Sequence, residues 1–427
     1  MHRRDFLLGA CATASLFGMD QALATVPVSR KAHVVVVGGG FGGATAAKYL
    51  RVLSGNTLNV TLVEPRDAFV SLPLSNLVVG GSRRVDDLTV SYNALADKHG
   101  IVRRRASAQA IDVRRRQITL SDGATLAYDR LVLSPGVSLE WQAVSGLDTE
   151  AMRAAMPAVW TDASQAGPLH AALRAMPEGG VFAITIPEAP LRCPPAPYER
   201  ATQVAHWLSR HNPRAKVLIF DANSDVLALA KPFQTLWAER FASTLEYHPQ
   251  FNCTEVARDG GRFAARFELG EQTLADVLNV IPPMRAGDIA RQTGLASAND
   301  RWCEVDFLSY ASKVAPDIHV LGDAIQIAPV MPKSGHTASE HAKVCAAAIV
   351  AELAGRPVNP APVCSSTCFS FVSDTEAMHI AGEHRYDPVE KTMMPVAAKS
   401  DVSTSPTRED FARGIAWSKA IWADMLA

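Results

Sequence analysis

The segment that most constrains this fold reads HVVVVGGGFGGATAAKYLRVLSGNTLNVTLVEP and begins at His33. Its pattern predicts an apolar strand, a glycine-rich loop, a helix and a second strand. Gly38, Gly40 and Gly43 have the GxGxxG spacing: the first permits a tight turn, the second lets a pyrophosphate approach the backbone, and the third lets helix and strand pack closely. Glu64 ends the second strand, 21 residues after Gly43, where a carboxylate can bind ribose hydroxyls. The sequence therefore predicts an α/β fold with a dinucleotide site at the helix N-terminus.

Two later segments favour FAD over NAD as the dinucleotide. YDRLVLSPG (Tyr128–Gly136) and DIHVLGDAIQI (Asp317–Ile327) each predict a buried strand that ends in a turn, the first at Gly136 and the second at Gly322 and Asp323. Together with the N-terminal unit, they resemble the flavoproteins that have two dinucleotide-binding domains. The resemblance implies FAD, with Asp323 holding the ribityl and phosphate end of the cofactor.

The same resemblance implies an α/β chain with two Rossmann-like domains, as in glutathione reductase, and a small C-terminal domain. We expect an interrupted FAD domain, residues 30–145 and 287–360, with an insert, residues 146–286, that forms the second Rossmann-like domain. Residues 361–427 form the predicted C-terminal interface domain. The strand–helix loop of the insert, APLRCPPAPYER, holds four prolines, a cysteine and no glycine, which disfavours close approach by a pyrophosphate. The insert is therefore predicted to lack an NAD site.

A more specific resemblance covers nearly the whole chain after its leader. RCPPAPYERA, VLNVIPPMRAGDIA, IHVLGDA, PVMPKSGHTA and TCFS are similar to segments of the flavoprotein subunit of flavocytochrome c sulfide dehydrogenase. That resemblance implies FAD-dependent oxidation of sulfide to sulfur or polysulfide. It implies a redox disulfide between Cys193 and Cys368 over the flavin, Glu199 as acid or base, and Lys333 in a loop that approaches the flavin. Hydrosulfide is a soft nucleophile that can attack a disulfide to give a persulfide and a thiolate.

Two departures from the family's pattern bear on this site. Flavinylated members carry a cysteine where this chain has Leu72, in SLPLSN, and leucine cannot form a thioether, so we expect non-covalent FAD. Cys364 precedes Cys368 by four residues and is an alternative disulfide partner. No CxxC pair occurs, so no metal site is expected. The remaining cysteines of the mature chain are expected to pack in the interior: Cys253, Cys303 and Cys345.

The first 24 residues, MHRRDFLLGACATASLFGMDQALA, predict an export signal. Arg3 and Arg4 form a twin arginine ahead of an apolar stretch, and a small-residue cleavage site ends at Ala24. The mature protein is therefore expected in the periplasm. No other apolar run is long enough to span a bilayer, and the amphipathic C-terminal helix EDFARGIAWSKAIWADMLA gives membrane insertion little support.

Charge and composition restrict the partners. A formal net charge of −1 argues against a nucleic-acid partner. The chain has no CxxCH motif, so any haem must be on a partner; a c-type cytochrome is the favoured electron acceptor and quinone the second choice. Two other functions compete with sulfide oxidation: a non-catalytic or regulatory flavoprotein of a sulfur-oxidation system, and an oxidoreductase for another thiol or sulfur compound.

Overall fold

A computed structural model describes residues 32–427, so the predicted export signal lies outside the described residues. The elements of the first part of the chain are β1 (His33–Val37), α1 (Phe41–Leu53), β2 (Asn59–Val63), β3 (Ala68–Val70), α2 (Ser75–Val79), β4 (Thr89–Ser91), α3 (Asn93–Asp97), β5 (Val102–Arg104), β6 (Ala108–Asp112), β7 (Gln117–Leu120), β8 (Thr125–Ala127), β9 (Arg130–Leu133), β10 (Val137–Leu139) and α4 (Glu150–Ala155).

The middle of the chain contains α5 (Ala166–Ala175), β11 (Val181–Ile186), α6 (Ala196–His211), β12 (Lys216–Asp221), α7 (Ala230–Arg240), β13 (Leu245–Pro249), β14 (Cys253–Asp259), β15 (Arg262–Phe267), β16 (Gln272–Ala275), β17 (Val277–Val280), β18 (Met284–Ala286) and α8 (Asp288–Gln292). The last part contains β19 (Ile318–Val320), α9 (Gly335–Leu353), β20 (Val363–Phe371), β21 (Ala377–Asp387), β22 (Thr392–Pro395), β23 (Asp401–Val402) and α10 (Arg408–Leu426).

The first sheet is parallel and has the strand order β19-β9-β1-β2-β5. Its strands β19, β9, β1 and β2 are largely buried, as expected for a parallel sheet that is covered on both faces, whereas Val102 of the edge strand β5 is exposed. Helices α1 and α9 pack against each other beside it. Strands β1, β9 and β19 run in the same direction, so the loops that follow them, at Gly38, Ser134 and Gly322, meet at one edge of the sheet. A ligand crevice is expected at the carboxyl edge of such a sheet.

The second sheet is also parallel, with the order β13-β12-β11-β17, and all its strands fall within residues 146–286. Helix α6 follows β11 and packs on β12. An antiparallel sheet, β14-β15-β16, lies next to it in the chain, and the short antiparallel pair of β10 with β18 links the two ends of the insert. The structure thus contains the two parallel, helix-connected sheets that the sequence predicts.

The C-terminal region is an antiparallel sheet of β20 to β23 followed by α10. The end of α10 is fixed to α1, because Lys48 Nζ donates to the Ala423 and Asp424 carbonyls and Tyr49 donates to Asp424 Oδ1 at 2.7 Å. Its apolar side chains, including Trp417, pack on the interior. In residues 32–427, no helix has the length and apolar character to cross a membrane.

Candidate active site

A cavity of about 400 Å³ opens where the carboxyl edge of the first sheet meets the loop before α6, the start of α9 and strand β20. Most of the residues predicted for the site line it: Gly38, Gly40, Glu64, Gly136, Cys193, Glu199, Gly322, Asp323 and Cys368. Two predicted residues, Gly43 and Lys333, are not among its lining residues. Leu72 lines it as well.

The three glycines of the first loop differ in what surrounds them. Gly38 has φ of +96°, and a Cβ there would lie 2.3 Å from the Ser134 carbonyl oxygen. A Cβ on Gly40 would meet no atom of the described residues within 4 Å, so its backbone faces open space. A Cβ on Gly43 would lie 1.8 Å from the Gly38 carbonyl oxygen, which is the close helix–strand contact that only glycine allows. Gly43 therefore allows α1 to pack closely on the loop at Gly38, although it does not line the cavity itself.

Glu64 lies at the end of β2 and is 3% exposed. Its Oε2 accepts a hydrogen bond from the Gly39 N–H at 2.6 Å, and its Oε1 accepts bonds from the Arg66 backbone N–H and Nε at 3.0 and 2.8 Å. Burial raises the pKa of Glu64, but the hydrogen bonds and charge of Arg66 outweigh it, so the pKa lies below its ordinary value. Glu64 is thus an anchored carboxylate at the cavity wall.

Asp323 and Lys333 occupy opposite sides of the same loop. Asp323 lines the cavity, and its buried Oδ1 has no hydrogen-bond partner in the described part of the chain. Burial raises the pKa of this carboxyl, against the charges of Arg192 and Lys333. The Lys333 ammonium points behind the loop instead: it donates to the Asp323 and Ile325 carbonyls at 2.9 and 2.6 Å. Lys333, which the resemblance placed in a loop near the flavin, therefore uses its ammonium to support the loop that carries Asp323.

Cys193 lies in the loop between β11 and α6. Its φ is +51°, which is uncommon for a residue with a side chain, and Pro194 and Pro195 follow it directly. Its backbone N–H donates to the Lys333 carbonyl at 2.7 Å, so the loop of the second sheet is fixed to the loop of the first. This contact holds a cysteine at the cavity, in the position where nucleotide-binding units carry a phosphate loop.

Cys368 comes from β20 and lies at the N-terminal end of α9, where the hydroxyl of Ser334, the N-cap residue, forms a hydrogen bond with its side chain. Both Cys193 and Cys368 are free, partly buried thiols in this structure. Burial raises the pKa of both thiols, that of Cys368 to about 11. Cys368 further raises the pKa of the Cys193 thiol. Their disulfide stays a prediction.

Cys364 is a poor partner for Cys368. Both residues belong to the regular part of β20, which pairs with β21 without interruption. Four residues of strand span about 13 Å, whereas a disulfide requires Cα atoms about 4.4–6.8 Å apart. The Cys364 thiol is instead buried against the Tyr310 hydroxyl at 3.7 Å.

Glu199 and Arg200 lie in the first turns of α6 and are 2% and 1% exposed. Burial raises the pKa of Glu199 to about 8, although hydrogen bonds from Asn76 and the Phe371 backbone and the charge of Arg200 act in the opposite direction. From Ala32 to the last residue, no group forms a hydrogen bond with the Oε1 atom of Glu199. Glu199 is therefore largely protonated at neutral pH and can donate a proton into the cavity.

Sequence reasoning did not single out three further residues of this wall: Arg192, Arg200 and Trp160. Arg200 donates through its guanidinium to Asn76 Oδ1, Asn279 Oδ1 and the carbonyls of Ala158 and Val159, at 2.7–3.1 Å. In the sequence, Arg192 and Arg200 are marked only by their position next to the predicted site residues Cys193 and Glu199. Their burial could not be predicted, because it depends on elements that are distant in the chain.

The carboxyl edge of the second sheet is filled by the protein itself. Asp221 ends β12, at the position where a NAD-binding unit presents its ribose-binding carboxylate. It is fully buried, and it accepts hydrogen bonds from the Tyr198 and Tyr247 hydroxyls at 2.6 and 3.0 Å and from the Asn223 side chain at 2.7 Å. Tyr198 belongs to α6, so a side chain of the helix that would face a nucleotide is hydrogen-bonded to this carboxylate.

The residues of the cavity fit FAD. The open space in front of Gly40 leaves the α1 N-terminus accessible to a diphosphate, and Glu64 stands at the end of β2. The unpartnered Oδ1 of Asp323 offers an acceptor for a hydroxyl of the ribityl chain. Cys193, Cys368 and Glu199 line the same cavity.

Comparison with known proteins agrees with this reading of the cavity. Residues 32–165 match the pyridine nucleotide-disulphide oxidoreductase family. Residues 167–282 match the central part of the sulfide dehydrogenase [flavocytochrome c] flavoprotein chain, and residues 360–426 match the flavin-binding part of flavocytochrome c sulphide dehydrogenase.

Individual relatives point the same way. The mitochondrial sulfide:quinone oxidoreductase of Dictyostelium discoideum is 24% identical over 331 residues, 76% of this chain and 72% of that protein. The flavoprotein chain of sulfide dehydrogenase from Chlorobaculum thiosulfatiphilum is 67% identical over 46 residues, 11% of this chain and 94% of that sequence. The crystal structure of the sulfide:quinone oxidoreductase from Aquifex aeolicus has the same fold, with a TM-score of 0.73 and 21% identity over 92% of this chain and 91% of that one. The chain therefore belongs to the FAD-containing flavoproteins of the flavocytochrome c sulfide dehydrogenase and sulfide:quinone oxidoreductase type.

Proposed function

We propose that this FAD-dependent sulfur oxidoreductase is a periplasmic sulfide dehydrogenase, which oxidises sulfide to sulfur or polysulfide through Cys193 and Cys368 and passes electrons to a c-type cytochrome. The observation that carries the proposal is that these two cysteines, 175 positions apart in sequence, line one cavity together with the FAD-binding loops. Family membership supports the substrate class, because the related chains are named for sulfide oxidation.

The chemistry begins with the cysteine pair as a disulfide. A first HS⁻ attacks one sulfur, the S–S bond breaks, and a persulfide forms on one cysteine while the other becomes a thiolate. A second HS⁻ removes the outer sulfur as HSS⁻, with loss of one proton, and leaves two thiolates. When bound, FAD accepts the two electrons released as the thiolates form the disulfide again. Glu199, with its unpartnered Oε1 in the cavity, exchanges the proton.

NAD(P)H is not the electron donor in this proposal. The loop between Pro187 and Tyr198 contains no glycine, and the carboxylate of Asp221 is already bonded to Tyr198, Tyr247 and Asn223. A nicotinamide dinucleotide would have to displace these buried contacts to reach the end of β12, and each broken hydrogen bond to a charged group costs about 1.5–3 kcal/mol.

Anaerobic titration of the FAD-loaded protein with sulfide tests the proposal, with the flavin absorption band as the readout. We expect bleaching of the wild-type protein and none for Cys193→Ser or Cys368→Ser, while dithionite still reduces both variants. Cys364→Ser is the matched control, because it removes a thiol from the same strand outside the cavity lining. Bleaching of Cys193→Ser at the wild-type rate would exclude the disulfide mechanism, and an unreactive wild-type protein would favour a regulatory role.

The electron acceptor is tested separately, with sulfide as donor and either a soluble c-type cytochrome or a water-soluble quinone as acceptor. The cytochrome proposal rests on the relationship to flavocytochrome c flavoprotein chains. We expect faster turnover with cytochrome c. A preference for quinone would assign the chain to the sulfide:quinone oxidoreductase activity instead.

A further inference from the structure

Two arginines line the cavity around Cys193. Asp323 lines the same cavity, and the charge of Arg192 lowers its pKa against the larger effect of burial, but the two side chains are too far apart to form an ion pair. Arg192 precedes Cys193 in the loop before α6, and Arg200 lies about one turn after the start of α6 at Ala196. Their guanidinium carbons lie 5.4 and 5.5 Å from the centre of the Trp160 ring. Within residues 32–427, neither guanidinium forms an ion pair with an aspartate or glutamate.

The contacts of Arg200 show why its charge is not balanced. All four of its hydrogen bonds go to neutral oxygens, those of two asparagine side chains and two backbone carbonyls. The adjacent carboxyl is that of Glu199, which is protonated at neutral pH because burial raises its pKa to about 8. A buried cation without a counter-ion is unfavourable, so an anionic ligand in this part of the cavity is stabilised.

Two residues of this wall each carry a buried hydrogen-bond donor. The Arg192 Nε and the Trp160 Nε1 are buried, and neither has an acceptor among residues 32–427. Trp160 is 1% exposed, so water does not satisfy its N–H at the surface. Both residues line the cavity together with Cys193. Arg192 directly precedes Cys193 in the loop, and its charge lowers the pKa of the Cys193 thiol, against the larger effect of burial.

We propose that Arg192 and Trp160 form an anion subsite beside Cys193, whose ligand is a monovalent sulfur anion: hydrosulfide before it attacks, and the terminal sulfur of the persulfide afterwards. This inference deepens the proposed function and rests on it for the identity of the ligand. Arg192 supplies the charge and one donor, Trp160 supplies a second donor, and the buried Arg200 supplies positive potential from behind. The subsite selects the ionised form of the substrate, which is also the reactive nucleophile.

Binding of thiocyanate to the oxidised, FAD-loaded protein tests the subsite without turnover. This redox-inert monovalent anion should perturb the flavin absorption band, and Arg192→Gln should weaken its binding about 10- to 100-fold, as expected for loss of a charge-assisted hydrogen bond. Arg192→Lys, which keeps the charge, and Trp160→Phe should each weaken it less. Arg291→Gln is the matched control, because it removes a positive charge from an exposed site on α8. In turnover, Arg192→Gln should raise the KM for sulfide by a similar factor and change kcat less.

Two results would overturn the subsite. Thiocyanate binding that is equal in Arg192→Gln and wild type would show that the guanidinium does not bind the anion. Loss of FAD from Arg192→Gln during purification would show that the guanidinium contacts the cofactor instead. Because the binding assay needs no sulfide oxidation, a wild-type protein that binds thiocyanate through Arg192 but is not bleached by sulfide would refute the proposed function and leave the subsite standing.

Discussion

Replacement of Glu199 by glutamine should make the stability of the protein less dependent on pH. Glu199 is 2% exposed, and burial raises its pKa from the ordinary 4.5 to about 8. The folded protein therefore holds this proton more tightly than the unfolded chain does. The stability that this provides is fully present below pH 4.5 and is lost as the pH rises through about 8.

The size of the effect follows from the same pKa. A tenfold change in proton affinity corresponds to about 1.4 kcal/mol, so ionising Glu199 in the folded protein costs on the order of 5 kcal/mol above pH 8, as an upper bound. Glutamine has the same shape and no charged form. The free energy of unfolding of Glu199→Gln relative to wild type should therefore increase steadily from pH 5 to pH 8 and level off above it.

Urea unfolding of both proteins at one-unit intervals from pH 5 to pH 9 measures this difference. Glu390→Gln, which removes an exposed carboxylate from the turn between β21 and β22, is the matched control and should show no such trend. If the difference between Glu199→Gln and wild type is the same at pH 5 and pH 9, the carboxyl does not titrate in this range. Its role as a proton donor at neutral pH would then be wrong.

Three further predictions concern the cofactor. Gly43→Ala should lower both the melting temperature and the FAD content, because its Cβ would lie 1.8 Å from the Gly38 carbonyl oxygen and overpacking costs about 1–3 kcal/mol or more. Gly40→Ala should weaken FAD binding but change the melting temperature of the FAD-free protein little, so equal melting temperatures for the two FAD-free variants would contradict this prediction. Acid precipitation should release yellow FAD into the supernatant because Leu72 cannot form a thioether, and colour retained in the pellet would argue for a covalent link elsewhere. Micromolar NADH should bleach the flavin much more slowly than sulfide does, since Asp221 is occupied by protein hydroxyls; rapid bleaching would reveal a nicotinamide site formed in another way.

The sequence by itself determines the parts of the site that act within one strand–loop–helix unit. Gly38, Gly40, Gly43 and Glu64 lie within 27 consecutive residues, and their spacing is enough to specify the turn, the open backbone and the terminal carboxylate. The sequence likewise indicates that the proline-rich loop with Cys193 does not bind a phosphate, because the absence of glycine is a property of that segment alone. These features follow from backbone geometry that each segment adopts largely independently of the rest.

The tertiary structure decides what depends on packing between distant segments. Lys333 supports the loop carrying Asp323 because its ammonium finds two backbone carbonyls behind that loop, and no spacing rule predicts this direction. The pKa of Glu199 depends on burial by elements from all parts of the chain. The surroundings of Arg192 and Arg200 also depend on distant segments. The sequence of one short segment does not indicate whether a carboxylate from elsewhere in the chain will form an ion pair with its arginines. The burial of a group and the charges around it depend on all the segments that pack near it, so they can be determined only from the complete fold.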